Sequence, residues 1–122
     1  YPPMSPIWCY PDELSQVWTN IIHNAIQAMD NQGVLTIVVV NQNEQVQVKI
    51  TDTGKGIPTE IQSKIFEPFF TTKPVGEGSG LGLNVVKTII ERHNGQITFI
   101  AQPGQTTFDV ILPKNQPSYN HV

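Results

Sequence analysis

The chain has 122 residues, 39% of them hydrophobic and 14% charged, with a formal net charge of −3, which suits a globular domain with one modest core. Seven Lys and Arg against ten Asp and Glu exclude the electrostatic footprint of a nucleic-acid binder, and the longest apolar run, VLTIVVV (34–40), is far too short to span a bilayer. The lone Cys9 excludes a disulfide framework and a zinc site and fits a reducing compartment, so we expect a cytoplasmic chain without direct membrane contact.

The opening YPPMSPIWCYP is rich in proline, with residues 7–9 as a candidate edge strand. Asp12 reads as the N-cap of a helix reaching about Met29, because Leu14, Val17, Trp18, Ile21, Ile22, Ala25 and Ala28 recur at three- and four-residue steps. The tetrapeptide DNQG stops it. Two strands, 34–40 and 45–52, follow around the polar turn NQNE and predict a hairpin. Residues 53 to about 79 carry glycine, proline and threonine with only a short helical stretch near 59–65; a connection of that length is functional or disordered. A second helix is expected over about 80–93, stopped by Asn94-Gly95. QITFIA and TTFDVILP then form a second hairpin around QPGQ, and the tail from 114 to 122 has nothing to pack. Helices on one face of a mixed, mostly antiparallel sheet make an α+β two-layer sandwich. There are no internal repeats, and the start at Tyr1 rather than Met suggests a piece of something longer.

Three stretches carry candidate chemistry. On the first helix Gln16, Asn20, Asn24, Gln27 and Asn31 occupy the face left free by the apolar stripe, with Asn20 and Asn24 one turn apart. That row is either plain polar surface or a source of amide oxygen for Mg²⁺, which needs few protein ligands when phosphates supply the rest. In VQVKITDTGKGI, Asp52 continues the parity of Val46, Val48 and Ile50 and so points inward. It either caps the following turn or receives a donor such as a purine amino group, with Gly54 and Gly56 leaving the backbone bare for a flat ligand. GEGSGLGL (76–83) fits neither the Walker loop nor the dinucleotide fingerprint, since Leu83 stands where a third glycine would be needed. A glycine-lined turn into a helix start is nevertheless suited to an anion such as phosphate.

NIIHNAIQAM, DTGKGI, IFEPFFTTK and GEGSGLGL together resemble the N box, first glycine box, F box and second glycine box of sensor histidine kinases, over nearly the whole chain from about Tyr10 to Pro113. The resemblance implies the Bergerat ATP-binding fold over residues 1–113, with a lid at about 55–79, and ATP and Mg²⁺ as cofactors. It makes Asn24 the Mg²⁺ ligand, with Asn20 beside it as the second catalytic position. Asp52 becomes the adenine-reading carboxylate, with Gly54, Gly56 and Ile57 lining the base pocket. Phe70, Thr71, Thr72 and Lys73 belong to the nucleotide-binding lid, and Gly78, Ser79, Gly80, Leu81, Gly82 and Leu83 to the turn around the phosphates. Two departures matter. Gln27 replaces the lysine common in the family, leaving Lys73 as candidate cation or plain loop charge. Asn20 replaces the glutamate with which hydrolysing relatives activate water, so a kinase is favoured over an ATP-driven clamp.

The implied activity is transfer of the γ-phosphoryl group of ATP to a histidine on a separate dimerisation domain, for relay to the receiver domain of a response regulator. No acceptor segment is visible: His23 reads as a structural residue of the first helix, His93 as a charge suited to a helix end, and His121 lies in the tail. The fragment alone is therefore expected to be monomeric and to turn over little. Phe66, Phe69 and Phe70 either pin the loop or dock on the neighbouring helical domain. The alternatives are a stand-alone serine kinase of the anti-sigma-factor type and a non-catalytic nucleotide-binding or docking module.

Overall fold

Among the described residues, four short apolar runs and two amphipathic stretches produce four strands and two α-helices. The computed structural model describes residues 7–30, 32–68 and 82–114. In chain order these are α1 (Pro11–Ala28), β1 (Leu35–Asn41), β2 (Gln45–Asp52), a short 3-10 helix (Thr59–Lys64), α2 (Leu83–Arg92), β3 (Gln96–Gln102) and β4 (Gln105–Pro113). The sheet has the order β1-β2-β4-β3, and every neighbouring pair is antiparallel. Both expected hairpins form, and β4 joins them by pairing with β2.

Val46, Val48, Ile50, Phe108, Val110 and Leu112 point from β2 and β4 towards the helices and are buried against Leu14, Val17 and Ile21 of α1 and Val86, Ile89 and Ile90 of α2. The expected α+β two-layer sandwich is thus the observed architecture. The edge strand β1 is less well covered. Ile37 and Val39 each remain 48% exposed, and with Trp18 and Ile22 they border an apolar groove of about 320 Å³.

Several local expectations change. Asp12 is not the N-cap: Tyr10 is, without a side-chain bond, and Pro11 begins the helix. Proline there has a preset φ and lacks an N–H that would have no helical partner, while Asp12 and Glu13 sit in the first turn where carboxylates favour the dipole. Residues 7–9 form no strand and contribute one backbone bond, Trp8 N–H to the Lys114 carbonyl at 2.8 Å. The stretch near 59–65 is a 3-10 helix, and α2 is seen from Leu83, with Gly82 as its cap. Asn94 takes the left-handed conformation (φ 59°) that ends α2. The next amide, Gly95 N–H, returns to the Ile90 carbonyl at 2.9 Å.

His93 is not the charged helix terminus expected of it. The ring is 3% exposed; Nδ1 lies 2.8 Å from the Ile89 carbonyl, and Nε2 accepts the Tyr10 N–H at 3.0 Å. A ring that donates through Nδ1 and accepts through Nε2 is a neutral imidazole. His23, read as a structural residue, is exposed on α1. Asn31, Phe69, Phe70, residues 71–81 and the tail from 115, including His121, lie outside the described residues.

Candidate functional site

Two of the buried polar residues, Asp52 and Thr106, stand together at one end of the layer between helices and sheet. Asp52 closes β2 on its inner face and is 3% exposed. Its Oδ1 accepts the Gly54 N–H at 2.8 Å, so the turn-capping reading holds for that oxygen. Burial raises the Asp52 carboxyl above its usual 3.8, and the Gly54 hydrogen bond opposes this more weakly. Directly across the β2–β4 ladder stands Thr106, also 3% exposed, whose Oγ1 has no hydrogen-bond partner among the described residues. An unpaired buried hydroxyl beside a buried carboxylate is costly, and a ligand with both donor and acceptor edges would relieve it. Sequence reasoning missed Thr106. The signal was its parity, which it shares with Phe108, Val110 and Leu112, all inward on β4.

The glycines after Asp52 have a different reason from the one expected. A Cβ at Gly54 would lie 2.6 Å from the Ala28 backbone, and one at Gly56 would collide with the Gln102 carbonyl. Gly56 also has φ 80°, where side chains are strained. These glycines are bare because the chain approaches itself: Lys55 N–H reaches the Ala28 carbonyl at 3.2 Å, tying the turn to the end of α1. Ile57 is half-buried, and its carbonyl accepts Gln62 Nε2 at 2.9 Å.

Ala28, Asn24 and Asn20 are successive steps of four along α1, so the row of amides leads away from the Asp52–Gly54 turn at about 6 Å per step. Asn20 and Asn24 are half-buried, unlike the exposed Gln27. Asn20 Nδ2 is buried without a partner among the described residues. Rotating the amide offers either a donor or an acceptor at that point.

The second helix arrives from the opposite direction. His93 meets Tyr10, and Arg92 pairs with Glu13 at 3.1 Å, so α1 and α2 run antiparallel. Counting back along α2 at about 1.5 Å per residue brings Gly82 level with roughly the stretch between Asn20 and Asn24. Among the described residues nothing lies within 4 Å of where a Gly82 Cβ would be, and its φ is −113°. The described residues thus give no steric reason for glycine here. Leu83 is half-buried against the core. The remaining predicted phosphate and lid residues, Phe70, Thr71, Thr72, Lys73, Gly78, Ser79, Gly80 and Leu81, lie outside the described residues.

Of the three phenylalanines in the F-box stretch, Phe66 is described and pins its segment. It meets Phe99 edge-on at 5.9 Å, Phe99 stacks obliquely on Phe108 at 5.8 Å, and Lys87 Nζ stands 5.5 Å from the Phe66 ring centre. Two concave surfaces lie elsewhere: the apolar groove beside β1 and one of about 370 Å³ on the outer face of the sheet, lined by Thr51, Thr98 and Asp109 among others. Neither contains a buried polar group, which is why the site is placed at Asp52, Thr106 and Asn20.

The described residues contain no group of three or more His, Cys, Asp or Glu able to hold a metal ion. No helix among the described residues is long and apolar enough to cross a membrane.

Residues 9–116 match the family model described as histidine kinase-, DNA gyrase B- and HSP90-like ATPase. Sensor histidine kinase ZraS of Escherichia coli is 44% identical over 106 residues, covering 86% of this chain and 22% of that protein. Signal transduction histidine-protein kinase AtoS of Escherichia coli is 42% identical over 114 residues, covering 92% and 18%. The chain thus spans about a fifth of the length of these relatives. Among solved structures, the catalytic domain of histidine kinase ThkA superimposes with a TM-score of 0.79 at 33% identity, over 91% of this chain and 73% of that one. Two helices on an antiparallel sheet, a buried carboxylate at a strand end and the match over 9–116 lead to one assignment: the chain belongs to the histidine kinase-, DNA gyrase B- and HSP90-like ATPase family.

Proposed function

We propose that this chain is the ATP-binding catalytic domain of a sensor histidine kinase. The observation that carries the reading is the Asp52–Thr106 pair: two buried polar side chains, facing each other across β2 and β4, beside a glycine turn fastened to α1. The ionised carboxylate accepts the exocyclic amino group of adenine, while the Thr106 hydroxyl serves a neighbouring ring nitrogen. The phosphates lie towards Gly82 and the start of α2, where amides and the helix dipole favour negative charge. Asn24, with Asn20 beside it, offers an amide oxygen to Mg²⁺, which when bound neutralises phosphate charge and draws electrons from the γ-phosphorus. Lys73 is the candidate lid cation in place of the family lysine missing at Gln27.

The reaction proposed is phosphoryl transfer. A histidine ring nitrogen on a dimerisation domain attacks the γ-phosphorus, the bond to the bridging oxygen breaks, and ADP leaves; a response regulator receives the group next. The chain contributes positioning and charge compensation rather than a nucleophile. The residue in the position where hydrolysing relatives keep a glutamate is Asn20, an amide that cannot take a proton from water, so turnover without an acceptor is slow.

Calorimetric titration with ADP, with and without Mg²⁺, tests the binding half. Incubation of Mg·ATP and this chain with the phosphoacceptor domain of a relative, followed by assay for acid-labile, base-stable phosphate, tests transfer. Binding with phosphohistidine formation supports the kinase. Phosphoserine on a protein substrate instead would favour the serine-kinase alternative, and no nucleotide binding would leave a docking module.

A further inference from the structure

The corner opposite the proposed nucleotide site is built around a buried histidine. His93 follows the last residue of α2, and its Nε2 accepts the backbone N–H of Tyr10, 83 positions earlier, at 3.0 Å. Its Nδ1 is engaged by the Ile89 carbonyl at 2.8 Å. Tyr10 meets the imidazole edge-on at 5.5 Å, Trp8 meets Tyr10 edge-on at 5.0 Å, and Arg92 stands 5.0 Å from the centre of the Tyr10 ring. Two further ties hold the same corner: Arg92 to Glu13 in the first turn of α1, and Trp8 N–H to the Lys114 carbonyl.

We propose that His93 is a proton-sensitive latch that fastens the segment ahead of α1 to the end of α2. The argument is one of hydrogen count. With Nδ1–H directed at the Ile89 carbonyl, a second proton has only Nε2 to occupy, and the Tyr10 amide already points its own hydrogen there. Two donors then face each other in a buried place. On the elements joined at this corner the titratable groups among the described residues are Cys9 and Tyr10 before α1, Asp12 and Glu13 in its first turn, Glu91 and Arg92 beside the ring, and Lys114, whose carbonyl holds Trp8. Glu13 is engaged by Arg92, and no ion pair among the described residues involves His93. Among the described residues no paired carboxylate is therefore in place to hold an imidazolium, and the charged ring must leave the pocket or release Tyr10.

The open form binds one proton more than the closed form, so opening is favoured as pH falls. Tyr10 is the cap of α1, whereas the opposite end of α2 begins at Gly82. Release of the latch therefore frees the approach to α1 and unclamps α2 at the end away from the proposed phosphate site. That coupling rests on the proposed nucleotide site; the latch itself does not.

Amide exchange measured by NMR on the 122-residue chain between pH 8 and 5, corrected for intrinsic rates, tests it. The opening equilibrium of the Tyr10 amide is expected to rise by up to tenfold per pH unit over the range where the His93 ring signals titrate, while amides of β2 and β4 do not follow. At pH 8 the ring nitrogens should report the Nδ1–H tautomer. His93→Gln keeps an acceptor for Tyr10 but cannot titrate, and should retain Tyr10 protection with a flat pH profile. A flat wild-type profile, the Nε2–H tautomer, or an unchanged slope in His93→Gln would each overturn the latch. Should the variant fail to fold, coincidence of the Tyr10 and His93 midpoints in the wild type decides the matter. None of these readouts involves nucleotide, so the latch and the kinase reading can fail separately.

Discussion

Replacing Asp52 by Asn separates what this residue does for the fold from what it does for a ligand. Asn keeps an acceptor oxygen for the Gly54 N–H, now bonded at 2.8 Å, so the turn should survive. The charge disappears, and with it the desolvation that raises this carboxyl above 3.8. The remaining NH₂ then faces the amino group that the carboxylate is proposed to bind, donor against donor. Losing a charge-assisted hydrogen bond in this way costs about 1.5–3 kcal/mol, or roughly 10- to 150-fold in Kd for ADP. Calorimetry gives the affinity, and thermal unfolding of the same samples gives the stability. The expected pair of results is weaker binding with an unchanged or higher melting temperature at pH 7. Folded Asp52→Asn that binds ADP within twofold of wild type would refute the assignment of Asp52 to the base. A lower melting temperature would instead show that the charge itself is structural.

Three other outcomes follow from the same geometry. Thr106→Val removes a buried hydroxyl that has no partner among the described residues, so unfolding should show equal or greater stability while ADP affinity falls severalfold. Gly56→Ala adds a side chain at φ 80° against the Gln102 carbonyl and should cost about 3 kcal/mol in denaturant unfolding, combining a left-handed backbone penalty with overpacking. Gly82→Ala meets no atom of the described residues within 4 Å and should change stability by less than about 0.5 kcal/mol, yet weaken ADP binding if phosphate approaches there. For pH, a carboxyl raised in the folded state makes the native protein bind more protons than the unfolded chain. Asp52 therefore detracts from stability as pH rises above 3.8, and the gap between Asp52→Asn and wild type should widen upward from there and close below it.

What could be read in advance was whatever depends on neighbours along the chain. The alternation of Val46, Val48 and Ile50 put Asp52 inside, and it is inside. The three- and four-residue steps from Leu14 to Ala25 gave the buried face of α1. What escaped depends on strands and helices meeting from afar. Thr106 looks like any strand threonine until β4 is known to pair with β2 as well as β3, which sets it across from Asp52. Gly54 and Gly56 looked bare for a ligand, whereas Ala28 and Gln102, each distant in sequence, occupy the space. His93 had the local setting of a helix-end charge, and an amide 83 residues earlier requires it neutral. Residues 69–81, which hold the later part of the expected lid and most of the second glycine box, lie outside the described residues, so the phosphate end rests on Gly82 and Leu83.

The unfavourable features are not scattered. Asp52 is a buried carboxylate, Thr106 a buried hydroxyl without a partner, and Asn20 a buried amide nitrogen without one among the described residues. The Thr106 hydroxyl and the Asn20 amide nitrogen lower stability because they are buried without a partner among the described residues, and Asp52 does so because its charge is desolvated. The centre of the core does the opposite: Val17, Ile21, Val86, Ile90 and Val110 are fully buried and wholly apolar. Asp52 and Thr106 face one another across the sheet, while Asn20 lies two four-residue steps along α1 from Ala28, against which the Asp52–Gly54 turn is packed. This grouping, a carboxylate and a hydroxyl at one end and amides along α1 at the other, is what supports the proposed nucleotide site. In that proposal the base is read at the carboxylate and the phosphates are held near the amides, so the ligand's polarity follows the order of the groups along the site.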